Sequence, residues 1–245
     1  MLSLTEPQTF LGKGVDKSRC LAQHLKKDNI LSDLLSEKAD SRCIRVLHRW
    51  LVTPFYCFYD FLDVGKPPQK VDVIFVFAGK PERKAYGIEL WRRGYAKELI
   101  LSVGRFEWRG YYKLDLPTDG GLKQSVEKTP PEQRHFFVTL SVPEATCSLV
   151  KIGNFGTMSE ALALGKIVQD KGYQSLMVVS TPVHLRRIAL ALRRTFRRRA
   201  ISVSCVAVPE QVSSIKRQDW WATPESRYFV LNELFKYLVY WLFSR

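Results

Sequence analysis

The sequence predicts an α/β domain with a mainly parallel sheet, preceded by a partly helical extension over residues 1–70. Three observations predict it. Short apolar runs with no polar alternation, the mark of strands buried on both faces, recur at 73–77, 98–103, 175–180 and 201–208. Stretches of helical character stand between them. Pro81 and Pro182 open two of these stretches, and Gly94 and Gly172 close two, which is the asymmetry of helix ends. Strands and helices that alternate in this way build a parallel sheet through right-handed crossovers.

Residues 1–45 are polar and mixed in charge. Residues 46–64 are aromatic-rich and read as a helix packed on the main domain. Its His48, Arg49, Pro54 and Asp60 exclude a membrane span. Gly65-Lys-Pro-Pro-Gln69 reads as a linker, so the α/β domain is expected over 71–245. Its first strand, Val73–Phe77, turns at Gly79 into a helix over 81–93. The second strand, 98–103, ends at Gly104. Residues 105–128 lack a period and read as a loop. Thr129-Pro-Pro-Glu132 has the pattern of a helix start, with Thr129 as N-cap. A third strand is expected at 147–152, followed by a helix over 158–171. Strand 175–180 leads into helix 182–198, then strand 201–208, then a final helix over 224–243. That last helix is apolar nearly all round. A buried element or an oligomer contact suits it better than a membrane anchor, because Glu233 and Lys236 interrupt it. Glu233 among such neighbours needs a cationic partner, an arginine.

With 245 residues, the chain is long enough to bury roughly 70–75% of its unfolded surface without a disulfide or a metal. Apolar residues at 46% and charged ones at 25% exclude wholesale disorder and a multi-span membrane protein. The five cysteines are scattered and include no C-x-x-C pair, so a reducing, cytoplasmic compartment is expected. No secretory signal opens the chain. The net charge is +14, and seven arginines fall between Arg186 and Arg199. This excess suits anionic partners: phosphorylated metabolites, nucleic acid or an anionic membrane surface.

In a sheet of this kind ligands bind beyond the carboxyl ends of the strands, where helix N-termini attract anions. Four places qualify. At Phe77-Ala-Gly79-Lys-Pro-Glu-Arg83, Gly79 lets backbone approach a ligand. Arg83 in the first helical turn asks for an anion or a carboxylate nearby, a surface acid being the plainer partner. No dinucleotide or phosphate-loop fingerprint is present. At Ser102-Val-Gly104 a serine and a glycine stand at a strand end. Thr157 and Glu160 have capping-box spacing, which accounts for them structurally. They also place N–H groups and a general acid/base where a phosphate would sit. In Ser180-Thr-Pro-Val-His184-Leu-Arg-Arg187, Thr181 suits an N-cap and His184 falls in the first turn. There the charge and dipole disfavour the imidazolium, leaving a neutral base or donor, or a histidine that closes the turn. On that helix Leu185, Ile188, Ala189, Leu192 and Phe196 form one stripe, and Arg186, Arg187, Arg193, Arg194, Arg197 and Arg198 the opposite side.

In order, Asp72–Gly79 with Arg83, Leu99–Gly104, Gly156-Thr157-x-x-Glu160-Ala161, Val178-Val-Ser-Thr-Pro-Val-His184-Leu-x-Arg187 and Glu233-x-x-Lys236 resemble the YdcF-like (SanA/ElyC-like) family. The resemblance covers about residues 71–243. It implies a Rossmann-like three-layer α/β sandwich and a cleft built from Gly79, Arg83, Ser102, Thr157, Glu160, His184 and Arg187. It also implies a link to envelope biogenesis and S-adenosylmethionine as a candidate cofactor. The chain departs from the family in three ways. Residues 1–70 offer no membrane anchor, Lys80 stands where relatives have a second glycine, and 105–145 does not match their acidic helix.

The expectation is therefore a soluble enzyme, a hydrolase or group transferase, for a phosphorylated or other anionic small molecule. His184 and Glu160 share acid/base work. Gly79, Arg83, Ser102, Gly104, Thr157 and Arg187 hold the ligand, and no metal is involved. The alternatives are a non-catalytic binder of a nucleotide-like ligand, and a nucleic-acid or anionic-membrane binder acting through the Arg186–Arg199 face. An oligomer contact through the C-terminal aromatic helix is a further candidate partner surface.

Overall fold

The computed structural model describes residues 53–114, 116, 118–141 and 144–243. The sheet lies in the unit Pro54–Arg245, which begins after Thr53. Most of the extension expected over residues 1–70 lies outside the described residues.

Helix α1 covers 53–62. The α/β elements follow as β1 (Val73–Val76), α2 (Pro81–Arg92), β2 (Glu98–Val103), α3 (Trp108–Tyr111), α4 (Leu122–Lys128), β3 (Phe136–Ser141), β4 (Ala145–Leu149), α5 (Gly156–Lys171), β5 (Ser175–Ser180), α6 (Pro182–Thr195), β6 (Ser202–Ala207) and α7 (Pro224–Phe243). The six strands form one sheet in the order β4-β3-β2-β1-β5-β6. Strands β2, β1, β5 and β6 run parallel, while β3 is antiparallel to both β2 and β4.

The strands show the burial their apolar runs require. Val73, Phe75 and Phe77 point to one face with Leu176 and Val178, under Ala161 and Leu164 of α5 and Leu185 and Ile188 of α6. Ile74, Val76, Leu99, Leu101, Met177 and Val179 point to the other, under Ile88 and Leu90 of α2 and Leu122 and Val126 of α4. Helices on both faces make three layers, each fully buried large side chain contributing about 1.5–3 kcal/mol. A third cluster joins α1 to α6 and α7 through Tyr59, Leu62, Val183, Ile215, Trp220 and Val230. The Trp220 indole N–H donates to the Phe55 carbonyl at 3.0 Å.

Three expectations are corrected. Thr129 opens no helix: its hydroxyl donates to the Ser125 carbonyl at 2.7 Å and closes α4. The prolines after it allow only a 3-10 turn, Pro131–Gln133, before the β-prone run Phe136-Phe-Val-Thr-Leu140 enters the sheet as an unexpected strand. The expected strand at 147–152 starts two residues earlier and ends three residues earlier, at Ala145–Leu149, where it pairs with β3. The stretch 105–128 carries two short helices, α3 and α4.

The topology fixes where a ligand would sit. From β1 the chain moves to β2 on one side and later returns to β5 on the other, so the strand order switches at β1. Among the described residues no helix is long and apolar enough to cross a membrane.

Candidate active-site cleft

Beyond β1 the chain turns through Gly79 at φ 135°, in the region that favours glycine. A Cβ there would stand 2.5 Å from Arg83 Nη1. Glycine therefore permits both the turn and the seat of Arg83. The guanidinium is buried. Its Nη1 donates to the Ala78 carbonyl at 2.7 Å and its Nη2 to Thr181 Oγ1 at 2.9 Å, tying the end of β1 to the start of α6. The buried Nε has no partner. No surface acid pairs with Arg83: among the described residues it forms no ion pair. Burial pushes its pKa down to about 10 against the opposing pull of Glu233, Glu107, Glu160 and Glu82.

The capping box is corrected as well. Helix α5 starts at Gly156 with Phe155 as its cap residue. Thr157 is thus already helical, and its hydroxyl is taken by other groups. It accepts from Arg187 Nη1 and lies 3.4 Å from His184 Nε2. Glu160 turns inward beneath the strand ends. Its Oε2 accepts the Ala78 N–H at 3.2 Å, and the Ser102 hydroxyl donates to it. Burial raises the Glu160 pKa from 4.5 to about 7, held back by those two hydrogen bonds. Behind Ser102 stands His135, with Nε2 2.8 Å from Ser102 Oγ and 3.8 Å from Glu160 Oε1. Burial holds its pKa down at about 4, so it is neutral. A neutral Nε2–H donating to Ser102, which in turn donates to Glu160, satisfies the chain.

His184 lies in the first turn of α6 and is 5% exposed. Its Nδ1 is 3.1 Å from Ser180 Oγ. A neutral imidazole has one donor and one acceptor, and the hydroxyls of Ser180 and Thr157 serve both. Burial first, then Arg187, Arg83 and Lys236, keep its pKa well below the usual value. Thr181 is the N-cap of α6, but its side chain serves Arg83 instead of the helix. Arg187 does not belong to the exposed basic side of α6. It is buried and grips Glu233 through two bonds of 2.9 and 3.0 Å, which supplies the arginine that Glu233 requires. Lys236 Nζ stands 3.7 Å from Glu233 Oε1.

These groups line a cavity of about 480 Å³ at the switch point, and Phe155, Phe229 and Tyr240 add aromatic walls. Arg83, Thr157, Glu160, His184 and Arg187 all line it. Ser102 sits behind Glu160, fully buried, and Gly79 sits behind Arg83. Gly104 does not line the cavity itself; it stands next to Ala78, which does, and against Glu107, whose carboxylate pairs with Lys84. His135 is not among the residues the sequence singles out. Its one signal is its place just before an apolar, β-prone run that follows the helix-like Thr129-Pro-Pro-Glu132 pattern. Among the described residues no cluster of three His, Cys, Asp or Glu suits a metal ion.

Compared with family models, with curated proteins and with solved structures, the chain matches none of them.

Proposed function

We propose that this chain is a YdcF-like enzyme, a hydrolase or group transferase, that takes a phosphorylated or similarly anionic small molecule in the cleft at the ends of β1 and β5. The observation that carries this reading is Arg83. A buried guanidinium with no carboxylate partner and an unpartnered Nε beside a cavity supports an anion as its missing partner. Glu160 supports chemistry there. A carboxyl with a pKa of about 7 gives and takes protons at neutral pH. His184, neutral and bonded to Ser180 and Thr157, positions Thr157 at the cleft wall, and Arg187 with Glu233 holds the same threonine from the other side.

For S-adenosylmethionine, the cofactor the resemblance implies, the lining offers Arg83 to its carboxylate, and for its sulfonium Glu160, because Glu233 is committed to Arg187. The described cysteines, Cys57, Cys147 and Cys205, are free, which supports a cytoplasmic setting.

The test is a thermal-shift and turnover screen over sugar phosphates, nucleotides and inorganic phosphate. An active substrate should stabilise the parent chain and the Glu160→Gln variant, but be turned over only by the parent. Arg83→Met should lose both effects. Full turnover by Glu160→Gln sinks the acid/base assignment. Stabilisation that survives in Arg83→Met sinks the anion site.

A further inference from the structure

A second cavity, of about 320 Å³, lies on the other side of α6 from the cleft. Its walls are Val64, Ala189, Leu190, Val203, Cys205 and Tyr237, and its charged groups are Lys66, Arg186 and Arg193. No carboxylate lines it, and among the described residues none of the three cations pairs with one. Arg186 is held in place: its guanidinium stacks 4.1 Å above the Phe61 ring and its Nε donates to the Phe61 carbonyl. Phe61 in turn meets Tyr237 edge-on at 5.4 Å.

From that rim an apolar surface runs round α7. At about 100° per residue, Trp241, Leu238, Leu242 and Phe235 follow Tyr237 in angular order toward the outer side of the helix. They are 43%, 49%, 60% and 65% exposed. Phe58 and Phe61 of α1 add exposed aromatic area beside the same rim. A water-facing helix side of this composition is costly unless something covers it.

We infer that this face docks on an anionic phospholipid surface, with a lipid phosphate in the Lys66–Arg186–Arg193 cavity and the aromatic side of α7 in the interfacial layer. Charge selects the occupant. A second copy seated across the rim would bring the same three cations against their counterparts. The aliphatic Leu238 and Leu242 that separate the aromatics suit acyl chains, and bases stacked on the rings would leave them uncovered. Cations bordering a Trp/Phe/Leu helix face are the composition of a surface-lying helix, and α7 carries too many charges to insert through a bilayer.

The full chain is sedimented with phosphatidylcholine vesicles, with and without 30% phosphatidylglycerol, at low and high salt. Binding should require the anionic lipid and weaken with salt. Each cation lost should weaken it about fivefold, so Lys66→Gln/Arg193→Gln should bind about 25-fold more weakly. Leu238→Ser/Leu242→Ser, on the exposed side of α7, should also lose binding while melting as the parent does. None of these four residues lines the cleft, so turnover should persist. Equal binding to neutral vesicles, retention by both variants, or displacement by a short oligonucleotide but not by lipid overturns the inference. So does a parent dimer, in light scattering, that the Leu238/Leu242 variant converts to monomer. Inorganic phosphate that protects the cavity while vesicles fail to bind overturns the lipid assignment.

Discussion

Replacing Glu160 with glutamine should stabilise the protein above neutral pH and do progressively less as the pH falls. The amide keeps an acceptor for the Ala78 N–H, and its NH2 can donate to Ser102, whose hydroxyl is free to turn. What changes is the ionisation. In the unfolded chain Glu160 titrates at its ordinary value of 4.5, and in the fold at about 7. Below 4.5 both states hold the proton and the carboxyl contributes no pH-dependent term. Between 4.5 and 7 the unfolded chain ionises first, so stability is lost as pH rises through this window. At about 1.4 kcal/mol for each tenfold difference in proton affinity, the loss amounts to about 3 kcal/mol at pH 8.

The assay is denaturant unfolding of parent and variant at pH 4.5, 6 and 8. The difference between the two proteins isolates Glu160, because His135 and His184 act equally in both. The variant should gain about 3 kcal/mol relative to the parent between the lowest and highest pH. A difference that stays flat with pH, or that favours the parent at pH 8, would refute the argument that burial outweighs the Ala78 and Ser102 hydrogen bonds.

Three further outcomes follow from the same geometry. His135 titrates at about 4 in the fold and at 6.5 unfolded, so the parent should lose up to about 3 kcal/mol as pH falls from 6.5 toward 4; His135→Gln should remove that share, and an unchanged acid limb in its unfolding profile counts against a buried neutral ring. Gly79→Ala sets a Cβ against Arg83 Nη1 in a backbone region that L residues avoid, costing about 1–3 kcal/mol and weakening anion binding in the thermal-shift screen, whereas Gly110→Ala, at a glycine with open space around it, should spare both. Removing Arg187 or Glu233 singly should cost about 3–5 kcal/mol, while Arg187→Met with Glu233→Leu recovers most of it; a neutral Glu233→Leu measured by chemical denaturation would contradict a desolvated ion pair.

The fold was legible where burial writes an unambiguous pattern. The runs at 73–77 and 175–180 are apolar at nearly every position because both faces of a central parallel strand are covered. The prolines and glycines at the helix ends mark the turns beside them. Strand β3 was not legible because Thr129-Pro-Pro-Glu132 imitates a helix start, and only its pairing with β2 decides the matter. The cleft was legible as positions but not as roles. Thr157 and Glu160 satisfy a local capping rule in the sequence, yet partners 20 or more residues away take their side chains: Arg187 and His184 for one, Ala78 and Ser102 for the other. Arg187 falls with the other arginines on the helical wheel, yet the apolar α7 carries Glu233 to it and buries the pair. His135 depends wholly on the unexpected strand, since β3 pairs Phe136 with Val103 and so brings the preceding histidine to the end of β2.

The electrostatics of the cleft turn on one group. Arg187 is cancelled by its two bonds to Glu233, and Lys236 is partly cancelled by the same carboxylate. His184 and His135 are neutral. What remains is Arg83, fixed positive, and Glu160, whose charge changes near pH 7. Below that pH the cleft presents an uncompensated guanidinium and a carboxylic acid able to donate. Above it the carboxylate offsets Arg83 and repels an anion. An anion seated beside Arg83 raises the proton affinity of Glu160 in return, since a negative neighbour favours the neutral acid. Binding of such a ligand and loading of the acid are therefore linked. The residue that would protonate a leaving group is kept charged in the empty cleft at alkaline pH and protonated once the anion arrives, and burial, through the height of the Glu160 pKa, sets the pH at which the two conditions meet.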